Sequence, residues 1–209
     1  MSKKKKLILE TARTLFNERG YSQVTIRMIA LKLNMSSGNL NYHFKKREDI
    51  FEALYFEMAS EFDERINVLS KIEISIEQVK NDVERSMKRM LDYSFFWTDL
   101  YNLLSINVKV QEHFQEVYKK RINGCFLLFK KMKEKDLMID SSFEFEYDFL
   151  ADRMINYGNT WLYSGSIYPN KLNLANIDYH IHTFLSILFP YLTFKGKRKF
   201  QNLLPEFFG

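Results

Sequence analysis

The stretch that most constrains the fold runs from Thr25 to Arg47 and predicts two short helices joined by a tight turn. In the first, apolar side chains recur at helical spacing behind a hydroxyl suited to an N-cap. The cap is Thr25, and the apolar positions are Ile26, Ile29, Ala30 and Leu33. This spacing predicts a helix buried along one side only. The small Ala30 lets a second helix cross it closely, as a helix-turn-helix requires.

The second helix has few apolar side chains to offer to a core. Ser36 can cap it, and only Leu40 and Phe44 can face inward together. The other positions are small or polar, with one planar aromatic side chain: Ser37, Gly38, Asn39, Asn41, Tyr42 and His43. Such side chains favour a surface that reads a partner by hydrogen bonds, and a chance pair of amphipathic helices is the alternative.

These residues and their neighbours resemble the DNA-binding head of the TetR (tetracycline-repressor-like) family of bacterial transcription regulators. The resemblance covers residues 7–55. It rests on an apolar first helix ending at Gly20-Tyr21, the Thr25–Leu33 helix, the Ser36-x-Gly38-x-Leu40 segment, and Tyr42-His43-Phe44 followed by basic residues and Glu48. Two positions depart from the family pattern. Leu33-Asn34 replaces the commoner Ala-Gly, which should alter only the turn, and Asn41 replaces a tyrosine that customarily contacts the DNA backbone.

Positive charge is concentrated in the N-terminal part of the chain. Residues 1–50 hold eleven Lys and Arg against four Asp and Glu, whereas residues 51–209 hold 20 against 22. A local positive field attracts polyphosphate and gives an affinity that falls steeply with salt. A charge run alone is typically a solvated surface, but here it coincides with the helix-turn-helix, which favours nucleic acid. Lys3 to Lys6 are expected to form a mobile basic arm.

Composition predicts an all-α protein. Only three prolines and seven glycines occur in 209 residues, 46% of which are hydrophobic, and no sustained apolar/polar alternation is present. One cysteine, Cys125, excludes an internal disulfide and is typical of a reducing cytoplasm. No signal peptide is evident, and the longest apolar run, 184–194, is shorter than the ~20 residues that span a bilayer. We therefore expect a cytoplasmic protein without a membrane segment.

The resemblance implies two domains, a DNA-binding domain over 1–48 and a helical ligand-sensing and dimerisation domain over 49–209. A long fourth helix, with an apolar stripe from Ile50 to Leu69, is expected to join head and body. Ser75-x-x-Gln78 predicts a capping box at the next helix. Further helices are predicted over 108–135, 144–163 and 175–194, and a basic link over 195–199.

The last two of these helices are apolar on more than one side, and such a helix needs two partners. In the TetR family the corresponding helices commonly pair with their copies in a four-helix interface. The resemblance therefore implies a homodimer, and overburied packing within a monomer is the alternative.

Catalytic chemistry finds little support in the sequence. His43 lies on the second helix, His113 is isolated, and His180 and His182 would point about 200° apart on one helix. No glycine-rich phosphate loop, nucleophile elbow or HExxH run occurs. We expect neither an enzyme nor a cofactor or metal, since an enzyme of a helical class would need a titratable cluster for which no candidate exists.

The resemblance implies that the body senses a small molecule. Large aromatic side chains can line a cavity among helices. The candidates are Phe96, Trp97, Tyr101, Phe126, Tyr157 and Trp161. Core packing is the alternative for each. Such walls favour a largely apolar effector over a phosphate.

These inferences predict a homodimer that presents residues 36–44 to successive major grooves about 34 Å apart on an inverted-repeat operator. The predicted base readers are Arg27, Ser37, Gly38, Asn39 and Tyr42, with Arg27 suited to guanine and Asn39 to adenine. The predicted phosphate contacts are Thr25, Ser36, His43, Lys46 and Arg47. A ligand-released repressor is the expected function, and activation is left open. The alternative, which Asn41 motivates, is a small-molecule-binding protein whose head has lost sequence specificity.

Overall fold

The computed structural model describes residues 2–69, 73–167 and 176–205, with the backbone alone at 61 and 63–69. Within these ranges the chain forms eleven α-helices, two short 3₁₀ turns and no strand, which confirms the all-α prediction. The helices are α1 (Lys3–Arg19), α2 (Ile26–Lys32), α3 (Ser37–His43), α4 (Arg47–Leu69), α5 (Ile76–Asp92), α6 (Ser94–Thr98), α7 (Leu100–Ile106), α8 (Val108–Glu134), α9 (Glu146–Ile167), α10 (Ile177–Ser186) and α11 (Phe194–Leu203). The 3₁₀ turns are Tyr21–Gln23 and Phe189–Tyr191.

The chain divides into two compact units. Unit 1 consists of Met1–Phe62 and Met90–Gln115, and unit 2 of Asp63–Arg89 and Glu116–Gly209. The helix-turn-helix thus shares its unit with α6, α7 and the first turns of α8. The domain boundary predicted at residue 48 stays a prediction.

The core of unit 1 contains the apolar side of α1. Ile8, Ala12, Leu15 and Phe16 recur at helical spacing and are all buried. The Phe16 ring lies 5.1 Å from that of Tyr21 and 5.2 Å from that of Phe95, between ring centroids. Because these rings come from distant parts of the chain, the head and the α6 region share one core.

Gly20 ends α1, as predicted, and its φ is positive but lies outside the left-handed helical region. Its φ is 78° and its ψ is 149°, and its N–H donates to the carbonyl oxygen of Phe16 at 2.8 Å. Glycine adopts this backbone readily because it has no β-carbon. The extended ψ leads the chain out of α1 and into the turn at Tyr21.

The turn between α2 and α3 is a Schellman motif. The N–H of Met35 donates to the carbonyl of Ala30 at 3.0 Å, and that of Asn34 donates to Leu31 at 3.1 Å. Asn34 has a φ of 53°. Asparagine tolerates this left-handed backbone better than most non-glycine residues. Asn34 therefore fills the position at which the family more often has glycine.

Several predicted helices are observed. The apolar stripe of α4 is buried at Ile50, Leu54 and Met58, whereas the side chains of Ile66 and Leu69 lie outside the described residues. Ser75 caps α5, its Oγ accepting from the N–H of Gln78 at 3.0 Å. The helices predicted over 108–135 and 144–163 correspond to α8 and α9.

The prediction that the first lysines form a mobile arm is wrong. Lys3 to Lys6 form the first turn of α1, which Ser2 caps by accepting from the N–H of Lys5 at 3.3 Å. Lysine favours helices, and its long side chain keeps its charge in water while the backbone is helical. The N-terminal lysines are therefore held on a helix.

The prediction of a single helix over 175–194 is also wrong, because α10 ends at Ser186. Pro190 lies in the following 3₁₀ turn, and a proline has no N–H to continue a helix. The predicted basic link over 195–199 is helical instead and belongs to α11, which Thr193 caps. Ala175 lies outside the described residues.

Candidate nucleic-acid interface

The exposed surface of α3 is the centre of the candidate site. Ser36 caps the helix, its Oγ accepting from the N–H of Asn39 at 3.2 Å. Leu40 and Phe44 are buried, as predicted, and hold α3 to the head. Tyr42 is 86% exposed, and its ring meets that of His43 edge-on at 5.3 Å between centroids. The polar side of α3 thus faces solvent.

An open groove of about 530 Å³ lies beside α3, between the first residues of α2 and of α4. Its walls are Thr25, Ile26, Arg27, Ser37, Asn41, Lys45, Lys46, Arg47 and Glu48. The groove brings together five of the ten predicted DNA-binding residues. The other five are not among its walls: Ser36, Gly38, Asn39, Tyr42 and His43. Three separate elements thus converge on one concave basic surface.

Four groove residues are not among the predicted contacts: Ile26 and Glu48, and the two polar, non-acidic residues Asn41 and Lys45. In the sequence, Asn41 stands out only as a departure from the family pattern, and Lys45 only as part of a basic run. Both are exposed. The run from Lys45 to Arg47 was the available signal for Lys45, whereas only the fold shows that Asn41 faces the same groove.

The cations of the groove differ in their surroundings. Among the described residues, Arg27, Lys45 and Lys46 form no salt bridge, and all three are exposed. Their charges are therefore available to a polyanion. Arg47 is different, because its guanidinium turns into the head and its Nη1 donates to the carbonyl oxygens of Tyr21 at 3.0 Å, Ser22 at 3.3 Å and Val24 at 3.0 Å.

The side chains that cap α2 and α3 each carry a hydroxyl group. Thr25, the N-cap of α2, lines the groove, and Ser36 is the N-cap of α3. Thr25 accepts from the N–H of Met28 at 3.3 Å, as Ser36 does from that of Asn39. A hydroxyl that accepts at a cap still has an O–H to donate. Thr25 and Ser36 can thus each cap a helix and donate to a phosphate oxygen at the same time.

The first turn of α4 carries the two acidic residues that suit a helix N-terminus. Asp49 accepts from the N–H of Lys46 at 3.1 Å, and Glu48 accepts from the hydroxyl of Tyr21 at 3.3 Å. The Lys46 amide is therefore engaged within the protein. The ammonium group of Lys46 remains the part suited to a phosphate.

Three predicted ligand-binding residues belong to unit 1. Phe96 and Trp97 are buried, with their ring centroids 5.2 Å apart, and the Trp97 ring lies 6.3 Å from that of Phe114. The indole N–H of Trp97 is buried and has no hydrogen-bond partner in the part of the chain that the structure describes. Tyr101, by contrast, is 85% exposed.

The other three belong to unit 2. Trp161 is buried, with its ring 4.8 Å from that of His180, and the hydroxyl of Tyr157 lies 3.1 Å from Nδ1 of His180. Phe126 packs against Phe129 at 6.2 Å between centroids. His180 is fully buried, which no spacing in the sequence indicated. The six aromatic candidates are thus divided equally between the two units.

The sole cysteine is suited to packing and not to nucleophilic chemistry. Burial raises the pKa of the Cys125 thiol to about 11, although the positive charge of Arg121 opposes this shift. A thiol is a nucleophile only as its thiolate. At neutral pH, Cys125 is therefore protonated and weakly reactive.

Within the described ranges, no helix has both the length and the apolar character needed to cross a membrane. In the same ranges, no group of three or more His, Cys, Asp or Glu side chains could hold a metal ion.

Two family models match the sequence. The model of bacterial regulatory proteins of the tetR family matches residues 8–54, and a model described as a bacterial transcriptional repressor matches residues 57–200. No curated protein matches the chain in sequence.

Many solved structures resemble the chain. A TetR-family transcriptional regulator from Marinobacter aquaeolei VT8 is 22% identical, with 99% of each chain covered and a TM-score of 0.89. A transcriptional regulator from Saccharomonospora viridis in complex with choline is 21% identical, covers 92% of this chain and 100% of its own, and has a TM-score of 0.70. SmeT, the repressor of the Stenotrophomonas maltophilia multidrug efflux pump SmeDEF, is 14% identical, with 91% of each chain covered and a TM-score of 0.65. At sequence identities this low, the structural similarity shows only that the chain shares the fold of these proteins.

Proposed function

Because the chain belongs to the TetR family of bacterial regulatory proteins, which are DNA-binding transcription regulators, we propose that it is a homodimeric repressor released from its operator by a small molecule. Two copies of the head would meet successive major grooves about 34 Å apart, so the operator would be an inverted repeat. The proposal places the protein in the cytoplasm, where the DNA is.

The observation that carries this proposal is the groove beside α3. It unites residues of α2, α3 and α4 around the exposed charges of Arg27, Lys45 and Lys46. Cations on one concave surface supply affinity for the DNA backbone, and an exposed polar helix beside them supplies base contacts. Affinity and specificity would thus come from adjoining parts of one surface.

The proposed base readers are Arg27 of α2 and four residues of α3: Ser37, Gly38, Asn39 and Tyr42. Gly38 supports this assignment in particular. A β-carbon on Gly38 would meet only the Oγ of Ser36, at 3.9 Å, and its φ is not positive. Since the head itself does not require glycine here, close approach of the DNA is the better reason for it.

The proposed phosphate contacts are Thr25, Ser36, His43 and Lys46, together with Lys45 from the groove. Thr25 and Ser36 would donate from their hydroxyls, and the lysines would attract phosphate by charge. These contacts would fix the register of the protein on the duplex. Asn41 would face the DNA from the same groove.

For the effector we propose a small, largely apolar molecule bound against the buried aromatic side chains of unit 1, Phe96 and Trp97. The buried indole N–H of Trp97 suits a ligand that also carries one hydrogen-bond acceptor. Choline should be tested as well, because the Saccharomonospora viridis regulator was solved with it. The effector would release the operator by binding more tightly to the form of the dimer in which the spacing between the two heads does not fit DNA. The helix α4 would connect the effector site to the head.

The decisive experiment is selection from a random duplex library with purified protein at moderate salt, followed by sequencing of the bound pool. We expect enrichment of an inverted repeat with two half-sites. Persistent binding without enrichment would instead support a small-molecule-binding protein whose head has lost sequence specificity. With an operator in hand, release by choline or by apolar compounds can be measured by fluorescence anisotropy.

A further inference from the structure

Arg47 makes contacts unlike those of the other groove cations. Its Nη1 atom lies within 3.3 Å of three carbonyl oxygens, those of Tyr21, Ser22 and Val24. All three belong to the short connection between α1 and α2. A cation surrounded by carbonyl dipoles is strongly attracted to them, because hydrogen bonds to charged groups are stronger than neutral ones.

The guanidinium also lies over an aromatic ring. Its central carbon is 4.0 Å from the centroid of Tyr21, and Nη2 is 3.8 Å from a carboxylate oxygen of Glu48. Glu48 in turn accepts from the Tyr21 hydroxyl. The three side chains close a cluster that joins the first turn of α4 to the start of the connection, and the carboxylate offsets the charge of Arg47 locally.

The far end of this connection is the start of α2. Val24, whose carbonyl Arg47 holds, directly precedes Thr25, the N-cap of α2, and Arg27 follows two residues later. Fixing Val24 therefore fixes where α2 begins. Thr25 and Arg27 are the residues through which α2 reaches the groove.

We infer that Arg47 is a positioning residue, which sets α2 against α3 through its contacts with the α1–α2 connection. Arg47 does not itself hold a phosphate. This inference rests on the proposed function, and it replaces the phosphate contact expected for Arg47 from the sequence. Lysine cannot substitute fully, because its ammonium group is a compact charge, whereas the guanidinium lies over the Tyr21 ring and also donates to several carbonyl oxygens.

The test compares Arg47→Lys with Lys46→Ala on the selected operator and on an unrelated duplex, over a range of salt. For Arg47→Lys we expect the ratio of specific to non-specific affinity to fall roughly tenfold or more, with an unchanged salt slope, because base contacts from α2 are misplaced. For Lys46→Ala we expect equal weakening on both duplexes and a salt slope reduced by about 0.9, the value for one neutralised phosphate. Wild-type specificity in Arg47→Lys would overturn the inference.

A second measurement needs no DNA and is independent of the proposed function. Amide hydrogen exchange over residues 21–28 of the free protein should be faster in Arg47→Lys than in the wild type or in Lys46→Ala. Circular dichroism would establish that each variant is folded. Unchanged exchange in folded Arg47→Lys would overturn the positioning role, whereas failure to select any operator would overturn the proposed function alone.

Discussion

Asn17, near the end of α1, donates from its Nδ2 atom to the carbonyl oxygen of Asp92, the last residue of α5, at 2.9 Å. Its Oδ1 atom accepts from the backbone N–H of Phe95 at 3.1 Å. One amide thus serves both sides of the break between α5 and α6, all within unit 1. The first helix of the head is thereby tied to the chain segment that carries Phe96 and Trp97.

We predict that Asn17→Ala destabilises the protein by about 1 kcal/mol, because two backbone groups lose their partner. Urea denaturation followed by circular dichroism measures this difference. Glu18→Ala, which removes the neighbouring exposed side chain, is the control and should change stability little. Equal effects of the two substitutions would contradict a bridging role for Asn17.

Gly38→Ala should separate folding from DNA binding. A β-carbon fits within the head, and alanine favours a helix over glycine by up to about 1 kcal/mol, so the melting temperature should stay the same or rise. Affinity for the selected operator should fall tenfold or more, since the added methyl group would face the DNA in the proposed complex. An operator affinity equal to that of the wild type would show that the backbone at Gly38 does not approach the DNA closely.

Arg27→Ala should relax specificity at one base pair in each half-site, where a good side-chain pair contributes ~1–3 kcal/mol of discrimination. Binding titrations on operators changed one base pair at a time detect this loss. Lys46→Ala is the control, because Lys46 is a proposed phosphate contact and its removal should weaken binding to every duplex. Uniform weakening by Arg27→Ala would assign Arg27 to the backbone instead.

Gly196→Ala should destabilise unit 2. A β-carbon on Gly196 would lie 2.2 Å from the carbonyl oxygen of Leu137, and a backbone atom cannot move aside cheaply. We expect a loss of about 1–3 kcal/mol, as for other overpacked sites. The matched control is Gly158→Ala, whose nearest contact is the flexible end of Arg121 at 3.2 Å. Similar melting temperatures for the two variants would refute the steric argument.

Tyr21 should make stability depend on pH in the alkaline range. Burial raises the pKa of its phenol to about 12, against the opposing charge of Arg47. Because this folded-state pKa exceeds the ordinary value of about 10, the stabilisation is complete below pH 10 and is lost as the pH rises toward 12. Urea midpoints between pH 9 and 12 measure the loss. Tyr21→Phe should lack this loss of stability, because it has no phenol to ionise. If the urea midpoints of both proteins changed equally with pH, Tyr21 would not be its source.

The parts of the fold and of the site that depend on near neighbours in sequence were predictable. Thr25, Ser36 and Ser75 each cap a helix by accepting from an N–H three residues later. The burial of Ile29 and Leu40 likewise follows from helical spacing. Such signals are complete within one turn of helix, so no knowledge of the fold is needed to interpret them.

Contacts between distant residues were not predictable in this way. Arg47 meets carbonyl oxygens 23 to 26 residues earlier in the chain, and its place in a basic run indicated a phosphate contact instead. The burial of His180 against Trp161 depends on how α9 and α10 pack, which leaves no periodic pattern. The helix end before Pro190 did have a local signal, but the apolar run around it suggested one long helix.

The placement of the aromatic side chains has a practical consequence. The chain has two tryptophans, and one is buried in each compact unit, Trp97 in unit 1 and Trp161 in unit 2. Indole fluorescence responds to the polarity around the ring. Trp97→Phe and Trp161→Phe variants would each leave a single tryptophan, so selective indole excitation supplies a separate optical reporter for each unit without any attached dye.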